Sequence, residues 1–154
     1  MRARRQSGFT LIELLVVITL IAIASSVVTL AMRDPAATRL EQEAARLAAL
    51  LESARAEARA SGLQGRWEPR SGQADVPGFR FVGFPDATEA GARPTHWLAE
   101  GVSAEVIGAR ALVLGPEPMI GAQRVVLSLE AQRLVLATDG LGPFVVVGND
   151  EAAR

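Results

Sequence analysis

The chain has 154 residues, a net charge of −1, no cysteine and sixteen basic residues, all of them arginine. The balanced charge gives no overall basic field for binding nucleic acid, and the lack of lysine excludes lysine-based catalysis. Without cysteine there is no disulfide, so burial of side chains must hold the folded part together. Much of that core should come from six aromatic residues: Trp67, Phe79, Phe81, Phe84, Trp97 and Phe144.

The first element along the chain is an apolar stretch from Phe9 to Met32, which follows Arg2, Arg4 and Arg5. As a helix it would be about 36 Å long, enough to cross a hydrocarbon core of about 30 Å. The preceding basic residues place the N-terminus in the cytoplasm and the rest of the chain beyond the inner membrane. Glu13 interrupts the stretch, although a carboxylate at the bilayer centre costs about 2.5–3.5 kcal/mol. The pattern predicts a membrane helix with one unusual charge.

Two other interpretations of this stretch stay open. A secretory signal peptide shares the basic start and the apolar run, with Ala22-Ile23-Ala24 as its cleavage motif. It does not explain Glu13 or the apolar character that continues to Met32. A plain single-pass anchor explains the hydrophobicity, but it explains neither the Gly8-Phe9 junction nor Glu13.

The second element is an amphipathic helix predicted from Pro35 to Ser61. Asp34 suits the N-cap, Pro35 the first helical position, and Gly62 the C-cap. Apolar residues spaced three and four apart form one face: Leu40, Ala44, Leu47, Leu51, Ala54 and Ala58. This face either packs on the sheet that follows or contacts a helix of a neighbouring subunit.

Charged residues of this helix fall mostly off the apolar face. They are Arg39, Glu43, Glu52, Arg55 and Arg59. Their spacing predicts two weak surface ion pairs, Arg39 with Glu43 and Glu52 with Arg55.

From residue 63 the pattern changes to short β-type runs separated by Gly and Pro. Arg124–Leu129 and Arg133–Thr138 form the clearest pair, a hairpin across Glu130-Ala131-Gln132. The other predicted strands are Leu63–Trp67, Gly78–Phe84, Val102–Ile107, Ala111–Leu114 and Pro143–Val147. No helical pattern separates them, so the chain is predicted to be α+β, with antiparallel sheets packed as a sandwich over 63–154.

The sequence contains no recognisable catalytic or metal-binding constellation. His96 is the sole histidine, and neither a nucleophile elbow nor a zinc motif is present. Asp75, Asp86 and Asp139 lie in loop-like sequence without the alternating ligands of a calcium loop. Gly140-Leu141-Gly142-Pro143 is interpreted as a turn, since no Lys-Ser/Thr follows it. We expect no catalytic residue, no metal and no cofactor.

Gly8-Phe9-Thr10-Leu11-Ile12-Glu13 resembles the processing site of type IV pilins and type II secretion pseudopilins. The resemblance implies a leader at 1–8, cleavage between Gly8 and Phe9 by a prepilin peptidase, and N-methylation of Phe9. It implies an assembly role for Glu13, opposite the N-terminal amine of a neighbouring subunit. The implied organisation is a transmembrane helix at 9–33, a periplasmic helix at 34–62 and an antiparallel β domain at 63–154.

Three further segments, 47–58, 78–81 and 137–144, are similar to segments of the H-type minor pseudopilins and their minor-pilin relatives. Retention of Glu13 argues against the K type, which lacks it. The resemblance implies a non-enzymatic subunit near the tip of a secretion pseudopilus, in the inner membrane with its C-terminal domain in the periplasm. Its implied partners are other pseudopilins, major and minor, the prepilin peptidase and the inner-membrane secretion platform, with no nucleic acid and no small-molecule substrate. A minor pilin of a type IV pilus, and a membrane-anchored periplasmic binding module or enzyme, are the alternatives.

Overall fold

The structure is a computed structural model that describes residues 10–31, 34–70, 78–85 and 93–147, with the backbone alone for residues 24–31. It divides into two compact units, Met1–Asp34 and Pro35–Arg154. The first unit contains helix α1, and the second contains helix α2 and two antiparallel sheets. A helix followed by antiparallel sheets is the α+β architecture that the sequence predicts.

Helix α1, Leu11–Ala31, begins directly after a capping threonine. The Thr10 carbonyl oxygen accepts hydrogen bonds from the amides of Glu13 at 3.1 Å and Leu14 at 3.2 Å. The Oγ1 of Thr10 also accepts from the Glu13 amide, at 3.3 Å. A hydroxyl at this position satisfies an amide that the first helical turn leaves unpaired. Among the fully described residues, no helix is both long and apolar enough to cross a membrane.

The described residues of the second unit form two sheets. The smaller sheet has the strand order β2-β1-β4 and the larger has the order β3-β5-β6-β7, with antiparallel neighbours throughout. The strands are β1 Arg66–Arg70, β2 Gly78–Val82, β3 Ser103–Val106, β4 Leu112–Val113, β5 Gln123–Leu129, β6 Gln132–Thr138 and β7 Val145–Val147. The predicted hairpin between β5 and β6 is confirmed, and its turn is Glu130-Ala131, with Glu130 at a φ of 54°.

Four strand ends differ from the prediction by more than one residue, and one of them is the end of β1, which lies at Arg70 and not at Trp67. The other three have a local reason. β1 begins at Arg66 and not at Leu63, because the Gly65 amide bonds to the Leu63 carbonyl oxygen at 2.9 Å and turns the chain there. β2 ends before Gly83, whose φ of 87° is incompatible with an extended strand. β7 begins only at Val145, after Pro143, which has no amide hydrogen for a ladder.

Helix α2, Pro35–Ser61, has the bounds that its capping residues predict. Gly62 follows it with a φ of 65°, and the Leu63 amide bonds back to the Ala58 carbonyl oxygen at 3.0 Å. This is the bonding pattern of a Schellman cap. The helix contacts β5, β6 and β7. Its apolar face is buried at every predicted position, namely Leu40, Ala44, Leu47, Leu51, Ala54 and Ala58, which confirms that it packs within its own unit.

One core joins α2 to both sheets. Four of the six aromatic residues expected there are buried: Trp67, Phe79, Trp97 and Phe144. Phe79 lies beside two of them, with its ring centroid 5.8 Å from Trp67 and 4.7 Å from Trp97. The other two, Phe81 and Phe84, are only partly buried.

Arg93 covers the two partly buried rings. Its guanidinium lies 4.2 Å from the Phe84 ring centroid and 5.7 Å from that of Phe81, and it pairs with Glu57 on α2. A guanidinium over aromatic faces stabilises such an arrangement while remaining in contact with water.

Candidate functional site

Glu13 is the third residue of α1, so it lies in the first helical turn. With Thr10 at the N-cap, the sequence Thr10-Leu11-Ile12-Glu13 has the spacing of a capping box. An acidic side chain here also faces the positive end of the helix dipole. The structure therefore places Glu13 where a local capping role is available, which we did not predict, and the Thr-x-x-Glu spacing was its signal. Gly8 and Phe9, the predicted processing and methylation residues, lie outside the described residues.

The side chains around Glu13 are apolar and uncovered. The large apolar residues from Leu11 to Ile23 are at least two-fifths exposed, and Leu11 is 83% exposed. They lie on every face of the helix, because they occupy nearly every position of the sequence. The one hydroxyl within this stretch, that of Thr19, donates to the Leu15 carbonyl oxygen at 2.8 Å. An apolar surface of this extent is typical of a segment that another molecule or a lipid phase covers.

In the second unit, Arg55 connects α2 to the turn before β7. Its side chain is 1% exposed. Nη1 donates to the Gly142 carbonyl oxygen at 2.7 Å and to Glu52 Oε1 at 3.1 Å, and Nη2 donates to the Gly140 carbonyl oxygen at 3.3 Å. Glu52 Oε1 also accepts from the Phe144 amide at 3.2 Å. The predicted pair of Glu52 with Arg55 is confirmed, but the expectation that Arg55 lies off the buried face was wrong.

Asp139 organises the same turn from within. Its Oδ1 accepts hydrogen bonds from the amides of Gly142 at 2.7 Å and Leu141 at 2.9 Å. These two amide bonds, the Gly142 bond first, lower the pKa of the Asp139 carboxyl from its ordinary value of 3.8, with a smaller effect from Arg55. The carboxylate therefore serves to accept hydrogen bonds from backbone amides of its own turn. Asp75 and Asp86 lie outside the described residues, within which no cluster of three or more His, Cys, Asp or Glu side chains could hold a metal.

Like Arg55, Glu43 is a buried charged residue of α2 that bonds to the backbone of a loop, but it lies nearer the other end of the helix. Although it is only 3% exposed, its Oε1 accepts from the amides of Leu98 at 2.5 Å and Ala99 at 2.8 Å. Arg46 lies 3.4 Å from Glu43 Oε2 and also donates to the His96 carbonyl oxygen at 3.1 Å. The predicted pair of Arg39 with Glu43 is wrong, because Glu43 turns towards the loop that contains His96 and pairs with Arg46.

Both buried charges could have been located on the helix from their spacing. Glu43 lies three residues after Leu40 and four before Leu47, and Arg55 lies four after Leu51. These positions border the apolar face. What the spacing cannot give is the partner, since the carbonyl and amide groups come from loops many residues away.

Open grooves lie among the described residues of the second unit, and two of them are well defined. One, of about 420 Å³, lies between α2 and the loop at Leu98, and the other, of about 480 Å³, lies beside β7. Neither lining includes histidine or cysteine. His96 itself is exposed and forms a bridge with Gly78. The arrangement in these described regions offers side chains that hold loops in place, and no nucleophile paired with a base.

Residues 3–29 match the protein-family model described as Prokaryotic N-terminal methylation motif. The matched range includes Gly8, Phe9 and Glu13. No curated protein and no solved structure matches the chain. The match covers the N-terminal segment, and it supports a prepilin-type signal of the type IV pilin-like kind.

Proposed function

We propose that the chain is a non-enzymatic subunit of a pilin-like filament, and specifically an H-type minor pseudopilin of a type II secretion system. In this role it enters the periplasmic pseudopilus near its tip and supports export of folded proteins across the outer membrane. The observation that carries the proposal is the methylation motif over residues 3–29, which leads into an uncovered apolar helix. The helix followed by antiparallel sheets is consistent with it.

The chemistry proposed for the N-terminus follows from the motif. Prepilin peptidase cuts between Gly8 and Phe9, and Phe9 becomes the methylated N-terminal residue. The apolar helix anchors the subunit in the inner membrane, with its second unit in the periplasm. Glu13 then meets the N-terminal amine of a neighbouring subunit during assembly. The partners are other pseudopilins, the peptidase and the inner-membrane secretion platform.

A minor pilin that initiates a type IV pilus is the second candidate. The motif favours it as much as the first, since both classes share the processing site. Similarity of residues 47–58, 78–81 and 137–144 to the H-type pseudopilins, together with the absence of cysteine, favours the secretion system. A deletion strain separates the two, because loss of protein secretion with intact pili supports the first and loss of pili supports the second.

The processing step is tested by mass spectrometry of the chain isolated from cells that contain prepilin peptidase. The expected mature chain begins at Phe9 and carries one methyl group. The variant Gly8→Val should remain uncut, because the extended backbone must enter the peptidase at a small residue. Ser7→Ala is the matched control and should be processed normally. A chain that begins at Ser25, or one that keeps Met1 in the presence of active peptidase, would refute the proposal.

A further inference from the structure

The segment Asp139–Val147, here called the strap, closes the larger sheet at one edge. Its strand β7 is the last in the order β3-β5-β6-β7 and pairs with β6 at three positions. Val145 and Val146 of this strand are half exposed. In contrast, β5 and β6 pair at seven positions and bury Val125, Leu127 and Leu136. The strap is therefore the weakest-paired part of this sheet among the described strands.

Side chains of α2 bind the strap mainly through hydrogen bonds to the backbone groups of the strap. Arg55 donates to the carbonyl oxygens of Gly140 and Gly142, and Glu52 accepts from the Phe144 amide. The strap's buried apolar anchor is the Phe144 ring, which lies 6.0 Å from the Arg55 guanidinium carbon. This is the way a protein binds an extended peptide, with backbone groups fixed by side chains and one aromatic residue in a pocket.

The turn of the strap is held together by its own bonds. Within the strap, the amides of Leu141 and Gly142 donate to Asp139 Oδ1. Two further bonds join the turn to its neighbours: Thr138 Oγ1, at the end of β6, donates to the Gly142 carbonyl oxygen at 2.8 Å, and the Ile120 amide donates to the Gly140 carbonyl oxygen at 3.3 Å. None of these bonds involves α2. The turn can therefore leave the helix with its internal hydrogen bonds intact, which favours movement of the strap as one unit.

Water can partly replace the hydrogen bonds that Arg55 loses when the strap opens. The guanidinium is buried, and its Nε has no hydrogen-bond partner in the described part of the chain. Burial of a charge is costly unless all its polar groups are satisfied. When the strap leaves, water reaches the guanidinium and satisfies the unpaired Nε, so the lost carbonyl bonds are offset. Glu52 is already 36% exposed, so water can also replace the hydrogen bond that it loses.

We propose that the strap opens and closes on α2 as one unit while β5 and β6 stay folded, and that Arg55 is the residue that positions the closed state. In the open state β6 becomes the edge of the larger sheet, and its backbone groups opposite β7 become free to pair with another extended segment. The strap belongs to the second unit, so its opening does not depend on which filament the chain enters.

Hydrogen–deuterium exchange of the full chain in detergent micelles, read by mass spectrometry of peptides, tests the proposal. In the wild-type chain the strap amides should exchange together and faster than those of β5 and β6. Arg55→Met removes the donors and keeps an apolar side chain, so it should raise exchange of the strap by roughly tenfold or more. Arg55→Lys keeps one donor group and should lie between the two. Arg80→Met, which breaks the exposed pair with Glu68 on the smaller sheet, is the matched control and should leave the strap unchanged.

Two results would overturn the proposal. One is equal exchange of the strap and of β5–β6 in the wild-type chain, which would mean that they open together. The other is a similar loss of protection in all strands of a folded Arg55→Met variant, because the strap would then not be separable from the sheet. The wild-type measurement decides the matter even where the variant fails to fold.

Discussion

Glu43 offers the sharpest test of how the second unit is held together. Its carboxylate is buried against two backbone amides, those of Leu98 and Ala99, and is paired with Arg46. A hydrogen bond to a charged group contributes about 1.5–3 kcal/mol, so two of them contribute about 3–6 kcal/mol. Burying the carboxylate costs several kcal/mol, and its removal regains part of that cost. Arg46 is 22% exposed and can be hydrated once its partner is gone.

On this balance we expect Glu43→Ala to lower the free energy of unfolding by about 3 kcal/mol. The substitution leaves the two amides and the Arg46 guanidinium without their hydrogen-bond acceptor. Glu43→Gln keeps one oxygen for the two amides but presents a neutral amide to Arg46, and should lose about half as much. Glu41→Ala, an exposed position on the same helix, is the control and should stay within about 0.5 kcal/mol of the wild type.

Urea denaturation of the fragment from Pro35 onwards, followed by circular dichroism, measures these differences. The midpoint should fall in Glu43→Ala without a change in slope, because the same surface is exposed on unfolding. In a thermal scan the loss should correspond to about 10 °C. A midpoint for Glu43→Ala equal to that of Glu41→Ala would show that the two amide bonds do not hold the loop at Leu98.

Three further predictions concern other parts of the chain. The fragment from Pro35 onwards should be a soluble monomer by size-exclusion chromatography and should hydrolyse no common ester or glycoside substrate, and robust hydrolysis would contradict the structural role. Because the folded-state pKa of Asp139 lies below 3.8, its charge contributes stability above that pH, and the contribution is lost as the pH falls through the folded-state pKa. The difference in urea midpoint between wild type and Asp139→Asn should therefore shrink on acidification, and a pH-independent difference would contradict this. Glu13→Ala and Glu13→Gln should insert and be processed normally, but crosslinking to neighbouring subunits should fall by roughly tenfold or more, since a close charge pair couples by about 1.5 kcal/mol or more.

Local signals account for the parts of the fold that the sequence predicts well. Helix α2 has a proline at its start, a glycine directly after its end and an unbroken apolar face, and all three signals lie in or next to the helix. The β5–β6 hairpin is likewise built from two adjacent runs and a short turn. Errors occur where a turn overrides a β-type run, as at Leu63–Gly65, which resembles a strand in composition but bonds within itself.

The burial of Glu43 and Arg55 could not be predicted with their partners, for a physical reason. Glu43 bonds to amides 55 and 56 positions along the chain, and Arg55 bonds to carbonyls 85 and 87 positions along. Whether a charge next to an apolar face is buried depends on which loop covers it. That is a property of the tertiary fold, since the spacing along the helix shows only that these two residues border the apolar face.

Two explanations account for the position of Glu13: a local role at the start of α1, and a pair with the N-terminal amine of a neighbouring subunit. As the third residue of α1 it can contribute to capping and to the helix dipole, which together are worth about 0.3–1 kcal/mol at an exposed helix end. If the helix lies in the membrane as proposed, the carboxylate costs about 2.5–3.5 kcal/mol at the bilayer centre, so local capping offsets only part of the cost. Glutamine serves a capping box as well as glutamate does, so Glu13→Gln keeps the capping role and removes the charge. Normal incorporation of Glu13→Gln would assign Glu13 to the helix start alone, whereas loss of incorporation with an intact helix would assign it to the partner amine.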